Sequence, residues 1–144
     1  MLEILRRLMA PDPARLPEPD AQLALAALLV RVAQSDGLYA AEEVERIDRV
    51  LALRHGLDPF AAAKLRAEAE VLEREAPDTV RFTRALKDAV ALEDRAELVT
   101  ALWSVALADG LREEHEDRLM RLVANLLGLT DVDSALARQK AERE

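Results

Sequence analysis

The sequence predicts an all-α fold, a single domain of seven or eight helices built on two copies of one helical hairpin. The first observation is a recurring phrase. An apolar run from Leu23 to Ala33 stops at Asp36-Gly37-Leu38, with Glu43 seven residues past the aspartate. A second run, Leu98 to Ala108, stops at Asp109-Gly110-Leu111, and Glu116 follows at the same distance. The second observation is register. An offset of 73 residues carries Leu25 onto Leu98, Leu29 onto Leu102, Val32 onto Val105 and Val50 onto Val123. The third is composition: hydrophobic residues are 51% but aromatics only 3%, so the core must be leucine, alanine and valine. Four glycines and six prolines leave few places for loops. At 144 residues the chain fits one domain, able to bury roughly 70% of the surface its unfolded form exposes.

Residues 1–19 read as an arm and a proline-rich linker. Residues 2–9 can make two amphipathic turns, too short to hold a bilayer alone, and the four prolines from Pro11 to Pro19 exclude a helix there. The domain proper is expected over 20–138. Asp20 is the N-cap of a first helix reaching Ser35, apolar nearly all round and therefore central. Gly37 supplies a left-handed turn, and Gly110 is expected to do the same in the second copy.

A second helix over 40–54 carries a stripe of Val44, Ile47, Val50, Leu51 and Leu53, with Glu42, Glu43 and Glu45 where the helix dipole favours negative charge. Gly56 stops it. Asp58-Pro59 is a cap followed by proline at the first helical position, opening a long, half-exposed helix to Glu75. Pro77-Asp78 repeats that punctuation before a helix bearing Phe82 and Leu86. Near Glu93 the chain turns into the second central helix, 96–108, followed by an amphipathic helix over 112–127 closed by Gly128. Thr130 or Asp131 caps a last short helix that frays into a polar tail, 139–144. The two hairpins are expected to face each other across one core, with Trp103 inside it.

Charge and composition narrow the function. A net charge of −8 disfavours nucleic acid and an anionic membrane surface, and leaves a divalent cation or a basic protein better placed. No cysteine is present, so disulfides and thiolate zinc sites are excluded. No secretory signal or spanning segment is visible, which makes the cytoplasm the expected compartment.

Three segments stand out: Leu29-Val30-Arg31-Val32-Ala33-Gln34-Ser35-Asp36-Gly37 with Glu43, then Arg81-Phe82-Thr83-Arg84, then Leu102-Trp103-Ser104-Val105-Ala106-Leu107-Ala108-Asp109-Gly110 with Glu116. Together they resemble the TerB family of bacterial tellurite-resistance and stress-associated proteins. The likeness spans about residues 20 to 138. It implies an all-helical, cytoplasmic bacterial domain with an acidic divalent-cation site. It also implies association with stress-response and membrane-linked complexes, and no established catalytic reaction.

The candidate metal ligands are Asp36, Glu43, Asp109 and Glu116. If the repeats meet, four carboxylates converge, and hard oxygen ligands suit Ca²⁺ or Mg²⁺. The competing account is ordinary turn and cap chemistry, in which Asp-Gly makes the turn and a first-turn glutamate satisfies exposed N–H groups. An EF-hand is excluded, because Val32 and Val105 would stand at its first ligand position. His55 and His115 have no histidine at helical spacing and read as surface residues, His55 as a cation favoured by the end of its helix. Arg81 and Arg84 read as solvated or ion-paired arginines around a buried Phe82 ring.

No cysteine nucleophile exists, Ser104 lies mid-helix and neither histidine has an evident partner, so the expectation is a protein that is not an enzyme. Three functions remain, in order: a TerB-like domain binding a divalent cation, a metal-free protein-interaction module, and a metal-dependent hydrolase. Protein partners and peripheral association with membrane complexes are expected, nucleic acid is not, and the oligomeric state is left open.

Overall fold

The computed structural model describes residues 19–35, 37–76, 78–108 and 114–143, with the side chains of residues 114–116 excepted. Among these residues every regular element is helical: α1 (Ala21–Gln34), α2 (Ala41–His55), α3 (Pro59–Glu75), α4 (Thr79–Ala89), α5 (Arg95–Ala106), α6 (Glu114–Leu126) and α7 (Asp131–Glu142). One 3₁₀ turn, Leu92–Asp94, makes the bend anticipated near Glu93. The amino-terminal arm lies outside the described residues.

Helix α1 is the hub. It packs against α2, α3, α4, α5 and α6, and every residue from Ala24 to Val30 is buried. A helix apolar on all sides cannot be covered by one neighbour, which is why the two hairpins, α1–α2 and α5–α6, share a single core. Helix α5 is the second hub, packed on α1, α2, α6 and α7. Trp103 sits there at 5% exposure and donates its indole N–H to Ser134 Oγ of α7 at 3.2 Å.

The caps fall where the sequence places them. Asp20, Asp58 and Asp78 accept the N–H groups of Leu23, Ala61 and Val80 at 2.8, 2.7 and 2.9 Å. Thr130 and Asp133 form a reciprocal capping box at the start of α7. That last helix does not fray at 138. It runs to Glu142, because Ala137 and Ala141 are buried one turn apart and Arg138 pairs with Glu142 at 2.9 Å. Leu53 departs from the expected stripe at 77% exposure. The buried face of α2 runs Glu43, Ile47, Leu51, and Leu53 lies about 200° around the helix from Leu51.

The carboxyl-terminal ends of α2, α3, α4 and α6 are closed in two ways. α2 and α6 end on left-handed glycines, Gly56 and Gly128. α3 and α4 end on Ala76 and Val90 in extended conformation, without a glycine, and their last carbonyls need donors from elsewhere. Arginines of other helices supply them. Arg31 of α1 donates Nη2 to the carbonyls of Glu73 and Ala76, Nε to the Glu73 carboxylate at 3.1 Å, and Nη1 to Thr79 Oγ1 at 3.1 Å. Its guanidinium also lies over the Phe82 ring, 5.0 Å from the centroid. Arg95 donates to the carbonyls of Lys87, Val90 and Leu127. The Phe82 ring is fully buried, as expected, but the cation over it is Arg31 from α1.

Candidate functional site

The turn after α1 begins with Ser35, whose hydroxyl donates to the Val32 carbonyl at 2.7 Å. The Gly37 N–H then reaches the Gln34 carbonyl at 3.0 Å, with Gly37 at φ +82°. An L-residue with a Cβ is strained there, so the expected left-handed turn stands in the first copy. The chain leaves extended through Ala40, the N-cap of α2. Alanine has no oxygen with which to cap, and Glu43 reaches back instead, its Oε1 accepting the Ala40 N–H at 3.0 Å. Glu43 is fully buried.

Glu43 is thus a helix-capping carboxylate held at the core's edge. Asp36, Asp109 and Gly110 lie outside the described residues, as do the side chains of His115 and Glu116. Among the described residues no group of three or more His, Asp or Glu stands close enough to hold a metal ion.

The neighbourhood of the second turn is partly defined. Glu42, Glu45, Arg46 and Arg49 of α2 line a recess of about 270 Å³ together with Ala108, the residue that precedes Asp109 in sequence. The start of α2 therefore lies against the end of the second central helix. At the opposite end, Val50 and His55 of α2 share a groove with Glu97 and Ser104 of α5. The two helices run antiparallel, and the first hairpin's turn and the end of α5 fall at the same end of the bundle.

Beside that turn lies a polar cluster the sequence did not single out. Arg66 of α3 bonds Asp48 of α2 through Nε at 2.6 Å and Glu70 through Nη1 at 3.0 Å. The hydrogen bond to Asp48 raises the Arg66 pKa above its usual value. Tyr39 sits next to it, and burial first, then the Glu70 carboxylate, push its hydroxyl well above the ordinary tyrosine range. The cluster latches α2 to α3 just past Gly37. Its sequence signal was weak, since Asp48, Arg66 and Glu70 read as surface charges on half-exposed helices.

His55 departs from expectation. It is half-buried, and its pKa is lowered by burial first and by Arg54 second, with Asp20 opposing. The ring is held toward its neutral form.

The fold and the residues around the turn define a class: a two-hairpin helical domain whose polar chemistry consists of helix caps, carboxylates and arginine clamps. A family model described as tellurite resistance protein TerB matches residues 22–139. The chain belongs to that family. No curated protein and no solved structure matches it. No helix among the described residues is long and apolar enough to cross a membrane.

Proposed function

We propose that this TerB-family domain is not an enzyme and acts as a cation-responsive association module in stress or tellurite resistance. The cation is Ca²⁺ or Mg²⁺, taken by Asp36, Glu43, Asp109 and Glu116. The observation that carries this reading is the recess shared by Glu42, Glu45 and Ala108, which brings the start of α2 against the residue preceding Asp109. On this reading one carboxylate from each repeat serves one hard cation. A chain of charge −8 adds a favourable field.

The hydrogen bond from Ala40 N–H to Glu43 favours the rival, a metal-free protein-interaction module in which these acids only cap helices. A metal-dependent hydrolase ranks third, for want of a nucleophile–base pair.

Calorimetric titration with Ca²⁺ and Mg²⁺ at matched ionic strength tests the proposal. A cation that binds only the folded state stabilises it by about 2.7 kcal/mol at one hundred times its dissociation constant. The wild type should show saturable binding and a raised unfolding midpoint. Asp36→Asn with Asp109→Asn should remove most of both. A double variant that responds as the wild type does leaves the interaction module as the reading.

A further inference from the structure

A groove of about 650 Å³ opens between the carboxyl-terminal end of α2, the face of α5 and the last turn of α7. It lies at the opposite end of α2 from Glu43, so nothing in the cation proposal uses it. Its size falls within the range of small-molecule sites, roughly 300–1,000 Å³.

The floor is Thr100, Ala101 and Ser104 of α5. Both hydroxyls turn back on their own helix, Thr100 Oγ1 donating to the Ala96 carbonyl at 3.0 Å and Ser104 Oγ to the Ala101 carbonyl at 2.7 Å. The floor therefore offers carbon and small side chains, with no hydroxyl hydrogen left for an occupant. Val50 and Leu53 form an apolar wall, with Leu53 77% exposed.

The rim has the opposite character. Arg54 and Lys140 line it against a single acid, Glu97, in a chain where 28 acidic residues outnumber 20 basic ones. Arg54 meets Glu97 only at 4.0 Å, a loose contact between partly exposed side chains. His55 completes the rim, and its Nε2 is buried with no hydrogen-bond partner, an unusual state for a polar atom.

We propose that this groove binds an amphiphilic monocarboxylate. The alkyl chain lies along Ala101, Val50 and Leu53, and the carboxylate meets Arg54 and Lys140. Two cations and one carboxylate leave one positive charge, which a monoanion neutralises. A neutral hydrocarbon would leave the basic rim unanswered, and a cationic amphiphile would be repelled by it.

Three probes test the assignment by calorimetry and by His55 ring resonances in NMR: decanoate below its micellar range, acetate, and decyltrimethylammonium. Decanoate should bind at one site and shift the His55 resonances. Acetate, which lacks the chain, and the cationic amphiphile should each bind at least about tenfold more weakly. Leu53→Glu, at an exposed position, and the double variant Arg54→Gln with Lys140→Gln should each weaken decanoate by about tenfold while leaving the unfolding midpoint in place. Absence of decanoate binding to the wild type overturns the proposal. Equal binding of the cationic amphiphile overturns the ligand class, and unchanged decanoate binding in both variants overturns the site.

Discussion

Trp103 on α5 and Ser134 on α7 are joined by a buried hydrogen bond, indole Nε1 to Oγ at 3.2 Å, and Arg138 stacks above the same ring at 5.7 Å from its centroid. The last helix is thereby fixed to the second hub. Trp103→Ala should cost roughly 3–5 kcal/mol by cavity formation. Ser134→Ala should cost about 1–3 kcal/mol, because the indole N–H stays buried without an acceptor. Chemical denaturation should show both as a lower midpoint in one shared transition. A separate early transition for α7 would mean that it is not part of the cooperative core.

Arg31 offers a second test. It supplies donors to the ends of α3 and to the start of α4 from a side chain that is 14% exposed. Arg31→Met should destabilise by about 3 kcal/mol, since it strips donors from buried carbonyls and leaves Glu73 without its cation. Arg31→Lys should be nearly as harmful, because an ammonium lacks the planar fork that reaches several acceptors at once. Hydrogen exchange should localise the loss to the last turn of α3. A lysine variant as stable as wild type would show that charge alone matters there.

The His55 shift has a defined sign. Its folded pKa lies below the unfolded value of about 6.5, so the unfolded chain binds the proton more readily. The full stability is present above pH ~6.5 and falls as the pH drops below that toward the folded pKa. His55→Gln should flatten the stability profile just below pH ~6.5 relative to wild type. Identical slopes for the two proteins would place His55 in open solvent.

Tyr39 tests the latch beside the first turn. It is the one tyrosine in the chain, so phenolate absorbance reports it alone. Burial and Glu70 raise its pKa, and the folded state should keep the proton beyond the usual value of about 10. Stability should fall as pH rises above about 10, and phenolate should appear together with unfolding. Tyr39→Phe should remove that alkaline loss. A phenolate signal near pH 10 in the native protein would place Tyr39 in solvent instead.

Much of this was legible in the sequence, and the reason is local. Caps at Asp20, Asp58 and Asp78, glycine stops at Gly56 and Gly128, and the apolar run of α1 are each set by a few adjacent residues. The clamps were not legible. Arg31 reads as a polar interruption of an apolar helix, and its partners stand 42 to 48 residues away. A signal existed: α3 and α4 end at Ala76 and Val90 with no glycine, so donors had to come from elsewhere. Leu53 was placed on the wrong side because a stripe of five apolar residues hid that only Ile47 and Leu51 among them are buried. Of the four proposed ligands, Glu43 alone has a described side chain, and its role as a cap follows from Ala40 having no oxygen of its own.

The reach of α1 has a consequence for synthesis. Its contacts extend as far as α6, and 80 residues separate Gln34 from Glu114, where that partner begins. A ribosome adding about 5–20 residues per second takes roughly 4–16 s to deliver them. Throughout that interval the most apolar helix of the nascent chain waits without its full cover. Slow translation across α3 and α4 should therefore lengthen the nascent chain's engagement by holdase chaperones.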